Sequence, residues 1–140
     1  MTGSTGLSYI LIVEDEPLIA LHLQQMLTEL GFHDVRSAPD LPRGVVAVQS
    51  ARPGLAILDV DLGGVPVFPL AEILRAAGVP ILFTSGRAHE DLPADWIDLP
   101  YAAKPITKPL LAAAIRVVGL LPEEAALPNP SSVPGPVRPR

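Results

Sequence analysis

The sequence predicts an α/β protein built on a five-stranded, doubly wound parallel sheet. Three observations predict it: continuous apolar runs of strand length, segments of helical apolar spacing between them, and acidic or polar residues where the runs end. Continuous apolar runs suit strands buried on both faces, as a helix-covered parallel sheet requires. Right-handed crossovers put helices on both faces of such a sheet. Its sites form at the C-terminal strand ends, where the strand order switches.

Residues 1–8 are small and polar and read as a flexible arm. Tyr9–Val13 (YILIV) is the first buried strand, broken by Glu14-Asp15-Glu16-Pro17. Asp15 can cap the helix that follows, and Pro17 suits its first turn. Ile19, Leu23, Met26, Leu27 and Leu30 have helical spacing, and Gly31 ends the helix. Phe32–Ala38 reads as a second strand. Leu41–Ala51 reads as a helix with Leu41, Val45 and Val48 on one face, weakened by Gly44. Leu55–Leu58 is a third strand, ending on Asp59. After a loop over Val60–Pro66, a helix is expected over Pro69–Ala77, stopped by Gly78. Pro80–Phe83 begins a fourth strand that runs into Thr84-Ser85-Gly86, and Tyr101–Ala103 is a short fifth strand before Lys104-Pro105. Thr107 can cap a last helix with Leu110, Leu111, Ala114, Ile115 and Val118 inward. From Leu121 to Arg140 six of twenty residues are proline, so this tail is expected to be disordered.

Composition narrows the function. The chain has 140 residues, 49% hydrophobic and 18% charged, enough for one domain with a real core. A net charge of −5 with ten scattered basic residues argues against a nucleic-acid surface. With no cysteine, disulfides, thiol catalysis and thiolate metal sites are excluded. His22, His33 and His89 lack zinc-ligand spacing and read as ordinary helix or surface residues. No apolar run reaches the ~18 residues of a membrane span, and the N-terminus lacks a secretory pattern. A cytoplasmic protein that binds neither nucleic acid nor membrane is expected.

The chemistry-bearing residues stand at the predicted strand ends. Glu14 and Asp15 follow strand one, Asp59 strand three, Ser85 strand four and Lys104 strand five. Acids at strand ends often only cap the next helix, which suits Glu16, and a lone Lys-Pro pair means little. The ordered set is harder to obtain by chance. Three carboxylates in one cleft raise each other's pKa, and a divalent cation relieves that conflict. Oxygen-only ligands with a phosphate oxygen and waters favour Mg²⁺. A carboxylate can also attack a phosphoryl group to form an acyl phosphate. That transfer needs a metal, a cation and a hydrogen-bond donor at the phosphoryl oxygens. Lys104 and Ser85 supply the last two.

At these residues, over about 8–120, the sequence resembles the response regulator receiver domain. The resemblance is carried by the acidic pair in LIVEDE, the aspartate in LAILDVDL, the hydroxyl in ILFTSG and the lysine in YAAKP. It implies a flavodoxin-like, CheY-like fold with strand order 2-1-3-4-5 and a receiver unit over 9–120. It implies Asp59 as phosphoacceptor and Glu14, Asp15 and Asp59 as Mg²⁺ ligands, with the Asp61 backbone carbonyl. It also implies Ser85 and Lys104 as catalytic partners, Ser85 and Tyr101 as switch residues, and a Lys-Pro bond that is usually cis. Thr84, adjacent to Ser85, competes for the hydroxyl role. The phosphoryl donor would be a sensor histidine kinase or a phosphotransfer protein, and a phosphorylation-dependent dimer is a candidate state. Two departures stand out: DVDLGG after the acceptor lacks the usual proline-containing loop, and residues 86–100 look too short for a full fourth helix. Both resemble an alphaproteobacterial single-domain subgroup with a Phe-Ala-Thr-Gly-[aromatic] motif, often served by HWE-type kinases. Here that motif reads Phe83-Thr84-Ser85-Gly86-Arg87. Residues 86–100 are expected to hold at most a turn or two of helix at Pro93–Ile97, with the rest mobile and Trp96 part-exposed.

The leading expectation is a stand-alone phosphoacceptor without an output domain, not a turnover enzyme. A phosphorylation-independent interaction module on the same fold is the alternative, opposed by the intact Glu14, Asp15, Asp59 and Lys104. An aspartyl phosphatase would use Asp61 as its second acid but needs a cap for which little chain remains. A flavin-binding reading fails because the loop after strand one is acidic.

Overall fold

The computed structural model describes residues 9–87 and 89–119. The expected arm over 1–8 and tail over 121–140 lie outside the described residues. Five parallel strands form one sheet: β1 (Ile10–Val13), β2 (Val35–Ala38), β3 (Leu55–Asp59), and, after a small hairpin of β4 (Asp61–Leu62) and β5 (Val65–Pro66), β6 (Ile81–Ser85) and β7 (Tyr101–Ala103). Their order across the sheet is β2-β1-β3-β6-β7, the predicted arrangement once the hairpin is set aside. The helices are α1 (Pro17–Glu29), α2 (Leu41–Ser50), α3 (Phe68–Ala76) and α4 (Lys108–Val118).

Alternation along the strands divides the core in two. Tyr9, Leu11, Val13, Leu58 and Phe83 pack with α3 residues Leu70 and Leu74. Ile10, Ile12, Ile57 and Leu82 pack with Leu23 and Leu27 of α1 and with Leu111 and Ile115 of α4. Both faces of β1 and β3 are fully buried, which is why these strands read as unbroken apolar runs.

Several local expectations need correction. β2 begins at Val35 rather than Phe32, because the Phe32 amide still donates to the Leu27 carbonyl and finishes the helix turn. Asp15 does not cap α1. Glu16 holds the cap position without a side-chain bond, and the Glu16 amide donates to Oε2 of Glu14 instead. Gly44 is no mere weak point in α2: a Cβ there would lie 2.8 Å from Leu70 Cδ2, so the glycine permits a close approach to α3 and β1. The Val60–Pro66 loop is the β4–β5 hairpin, turning through Gly63 (φ 63) and Gly64 (φ 92). Two consecutive positive φ angles suit the tight turns that match strand twist.

Between β6 and β7 no full helix forms among the described residues. Two 3-10 turns, His89–Asp91 and Ala94–Trp96, take its place, as the two prolines and missing stripe predict. Trp96, however, is only 3% exposed rather than part-exposed. Its ring stacks on Phe68, meets Phe83 edge-on, each at 5.8 Å between centroids, and lies 3.7 Å beneath the Arg75 guanidinium. One large aromatic thus anchors a segment that has no helical stripe of its own.

Candidate functional site

The site lies at the C-terminal ends of β1, β3, β6 and β7. β1 and β3 run in register, Val13 beside Leu58, so the residues that follow, Glu14 and Asp59, emerge side by side. Both are buried, at 2% and 5% exposure, while Asp15 is half-buried. Glu14, Asp15 and Asp59 each offer a carboxylate oxygen within 4.8 Å of the others. The Asp15 carboxylate reaches the hairpin turn, where a Cβ on Gly63 would stand 3.3 Å from Oδ2. Gly63 therefore keeps room for this acid. Sequence reasoning noted DVDLGG only as a departure; Gly-Gly between alternating residues was the signal of a hairpin.

Lys104 follows β7 across a cis Lys104–Pro105 bond. Its ammonium lies 3.1 Å from Asp59 Oδ2 and 2.9 Å from Glu14 Oε1. The first contact is a hydrogen bond, whereas Oε1 has no aligned donor, so the second is a charge contact. The Asp61 amide donates to Asp59 Oδ1 at 3.2 Å and fixes the other acceptor oxygen.

Burial raises the Asp59 carboxyl above the ordinary carboxylate range, against the opposing hydrogen bonds of Lys104 and Asp61. Burial likewise pushes Glu14 up to about 7, with Asp59 adding to the rise and Lys104 countering it. For Lys104 burial works downward, but Glu14 and Asp59 outweigh it and leave the ammonium raised.

Beside the acids a cleft of about 260 Å³ opens between the hairpin and the 3-10 turns, lined among others by Asp61, Phe68, Ser85, Arg87 and Leu92. Ser85 Oγ accepts from the Arg87 amide at 2.9 Å. The Arg87 guanidinium stands 3.9 Å from Asp61 Oδ2 across the mouth. The Tyr101 hydroxyl donates to the Arg87 carbonyl, tying β7 to the same residue. Thr84 is fully buried, and its hydroxyl has no partner among the described residues.

The structure therefore brings together Glu14, Asp15, Asp59 and Lys104, with Ser85 and Asp61 at the cleft and Tyr101 one link away. This donor set fits a hard divalent cation: three carboxylates, no nitrogen or sulfur, and one lysine offsetting only part of the charge. Among the described residues, no helix is long and apolar enough to cross a membrane.

Comparison with known proteins agrees with the geometry. The family model of the response regulator receiver domain matches residues 10–117. The phyllosphere-induced regulator PhyR of Methylorubrum extorquens is 32% identical over 112 residues, 78% of this chain. The chain spans 41% of the length of that relative. The solution structure of SdrG from Sphingomonas melonis Fr1 matches with TM-score 0.72 at 35% identity, covering 80% of this chain and 96% of that one. The PhyR receiver domain of Erythrobacter litoralis matches with TM-score 0.73 at 25% identity, covering 96% and 100%.

Proposed function

The chain belongs to the response regulator receiver domain family, and on that premise we propose that Asp59 accepts a phosphoryl group within a two-component system. The donor would be a phosphohistidine on a histidine kinase, of HWE type by the Phe83–Arg87 resemblance, or on a phosphotransfer protein. The observation that carries this reading is the placement of a buried Asp59 against Lys104 at 3.1 Å, with two further acids sharing the pocket. Residues 9–120 would form the receiver unit, in a cytoplasmic protein.

In the transfer, an Asp59 carboxylate oxygen forms a bond to phosphorus as the donor's phosphorus–nitrogen bond breaks. The imidazole leaves and Asp59 becomes an acyl phosphate. Lys104, already at hydrogen-bond distance, neutralises charge on the incoming phosphoryl oxygens. Ser85, whose oxygen already accepts from the Arg87 amide, directs its own O–H to the same group. Tyr101 would transmit that movement through Arg87. Glu14, Asp15, Asp59 and the Asp61 carbonyl would hold Mg²⁺, which when bound supplies the remaining charge compensation. The chain needs no pocket for a second substrate, so it acts as a signalling phosphoacceptor rather than a turnover enzyme.

The test is incubation with acetyl phosphate, with and without Mg²⁺, followed by mass spectrometry. Wild type should gain one phosphoryl group in Mg²⁺, and Asp59→Asn should gain none while melting as a folded protein. Labelling of Asp59→Asn at the wild-type rate would remove Asp59 from the role.

A further inference from the structure

Two hydroxyls stand side by side on β6, and the two-residue period of a strand turns them to opposite faces. Ser85 lines the cleft beside Arg87. Thr84 goes with the other face: it is in register with Asp59 on β3 and with Ala102 on β7. Leu82, Ile57 and Ala102 on that face pack with α1 and α4. Thr84 is fully buried and its Oγ1 has no hydrogen-bond partner among the described residues. Such a hydroxyl lowers stability, where valine, of nearly the same shape, would not. A polar atom held at that cost points to a use.

The topology supplies one. β6 lies between β3 and β7. Lys104 follows β7, yet its Nζ reaches Asp59 at the end of β3. The side chain must therefore cross the C-terminal end of β6, where Thr84 stands between Asp59 and Ala102. An ammonium has three donors. One is used on Asp59, and the contact with Glu14 Oε1 is not aligned as a hydrogen bond. Thr84 Oγ1, buried and without a hydrogen-bond partner among the described residues, thus belongs to the strand that this lysine spans.

We propose that Thr84 is a positioning residue for Lys104: its hydroxyl accepts from the ammonium when a phosphoryl group on Asp59 redirects the lysine, which already spans β6. The two adjacent hydroxyls then divide the work, Ser85 toward the phosphoryl group and Thr84 toward the lysine that steadies it. This rests on the phosphoacceptor reading above.

The experiment compares wild type, Thr84→Val and Thr84→Ser in the rate of labelling by acetyl phosphate with Mg²⁺, with thermal melts of each. Losing a hydrogen bond to a charged group should slow Thr84→Val by about tenfold. Its melting temperature should equal or exceed that of wild type, because an unpartnered hydroxyl has gone. Thr84→Ser, which keeps the hydroxyl, should label within about twofold of wild type. Thr84→Ala also lacks the hydroxyl and repeats the comparison with a smaller side chain. Equal rates in wild type and Thr84→Val, or equal slowing in Thr84→Ser and Thr84→Val, overturn the proposal and leave Thr84 a packing residue. A wild-type protein that takes no label brings down the phosphoacceptor reading itself, and this proposal with it.

Discussion

The acid cluster should make the metal-free protein lose stability as pH rises, and Glu14→Gln should abolish most of that loss. Glu14 moves from an ordinary 4.5 to about 7 because it is buried beside Asp59. A carboxyl raised on folding binds more protons in the native state than in the unfolded one. Its stabilising protonated form is therefore fully present below about 4.5 and is lost as pH rises through about 7. The difference between those values corresponds to about 3 kcal/mol. Water reaching the site past the half-buried Asp15 brings the expected figure to about 1–2 kcal/mol. The amide side chain of the Glu14→Gln protein keeps an acceptor for the Glu16 amide but carries no charge, so the penalty above pH 7 disappears. The assay is urea denaturation of both proteins at pH 5 and 7.5, with the pH difference compared between them so that packing effects cancel. Wild type should lose about 1–2 kcal/mol more than the variant between the two pH values. Mg²⁺ at pH 7.5 should restore stability to wild type and much less to Glu14→Gln. Parallel pH profiles in the two proteins without metal would refute the reasoning, since burial of a charged Glu14 would then cost nothing measurable.

Two further outcomes follow from single contacts. Arg87→Ala removes the charge facing Asp61 at 3.9 Å; fold stability should change by less than about 1 kcal/mol because both side chains are exposed, while the phosphorylated form should decay up to about fivefold faster, and equal decay rates would show that the pair shields nothing. Gly44→Ala should destabilise by about 1–2 kcal/mol in urea unfolding, because overpacking against Leu70 and Val13 outweighs the gain in helix propensity; a variant as stable as wild type would mean that Leu70 yields freely.

The sheet and the strand-end residues were legible in the linear chain because both are written locally. Burial on both faces makes β1 and β3 unbroken apolar runs, and the residue after such a run must emerge at the sheet's edge. Glu14, Asp59, Ser85 and Lys104 were thus placed by counting, although they come from four distant segments. Where a feature depended on what packs against it, the sequence was silent. Gly44 read as a helix weakness because the chain does not show Leu70 arriving 2.8 Å from its missing Cβ. Trp96 sits in a segment without periodicity, and only the meeting of Phe68, Phe83 and Arg75 from other elements buries it. The string of letters favoured Ser85 for the hydroxyl role and left its neighbour Thr84 as a competitor. Strand register, which the chain acquires only by folding, sets one beside Asp59 and turns the other into the cleft.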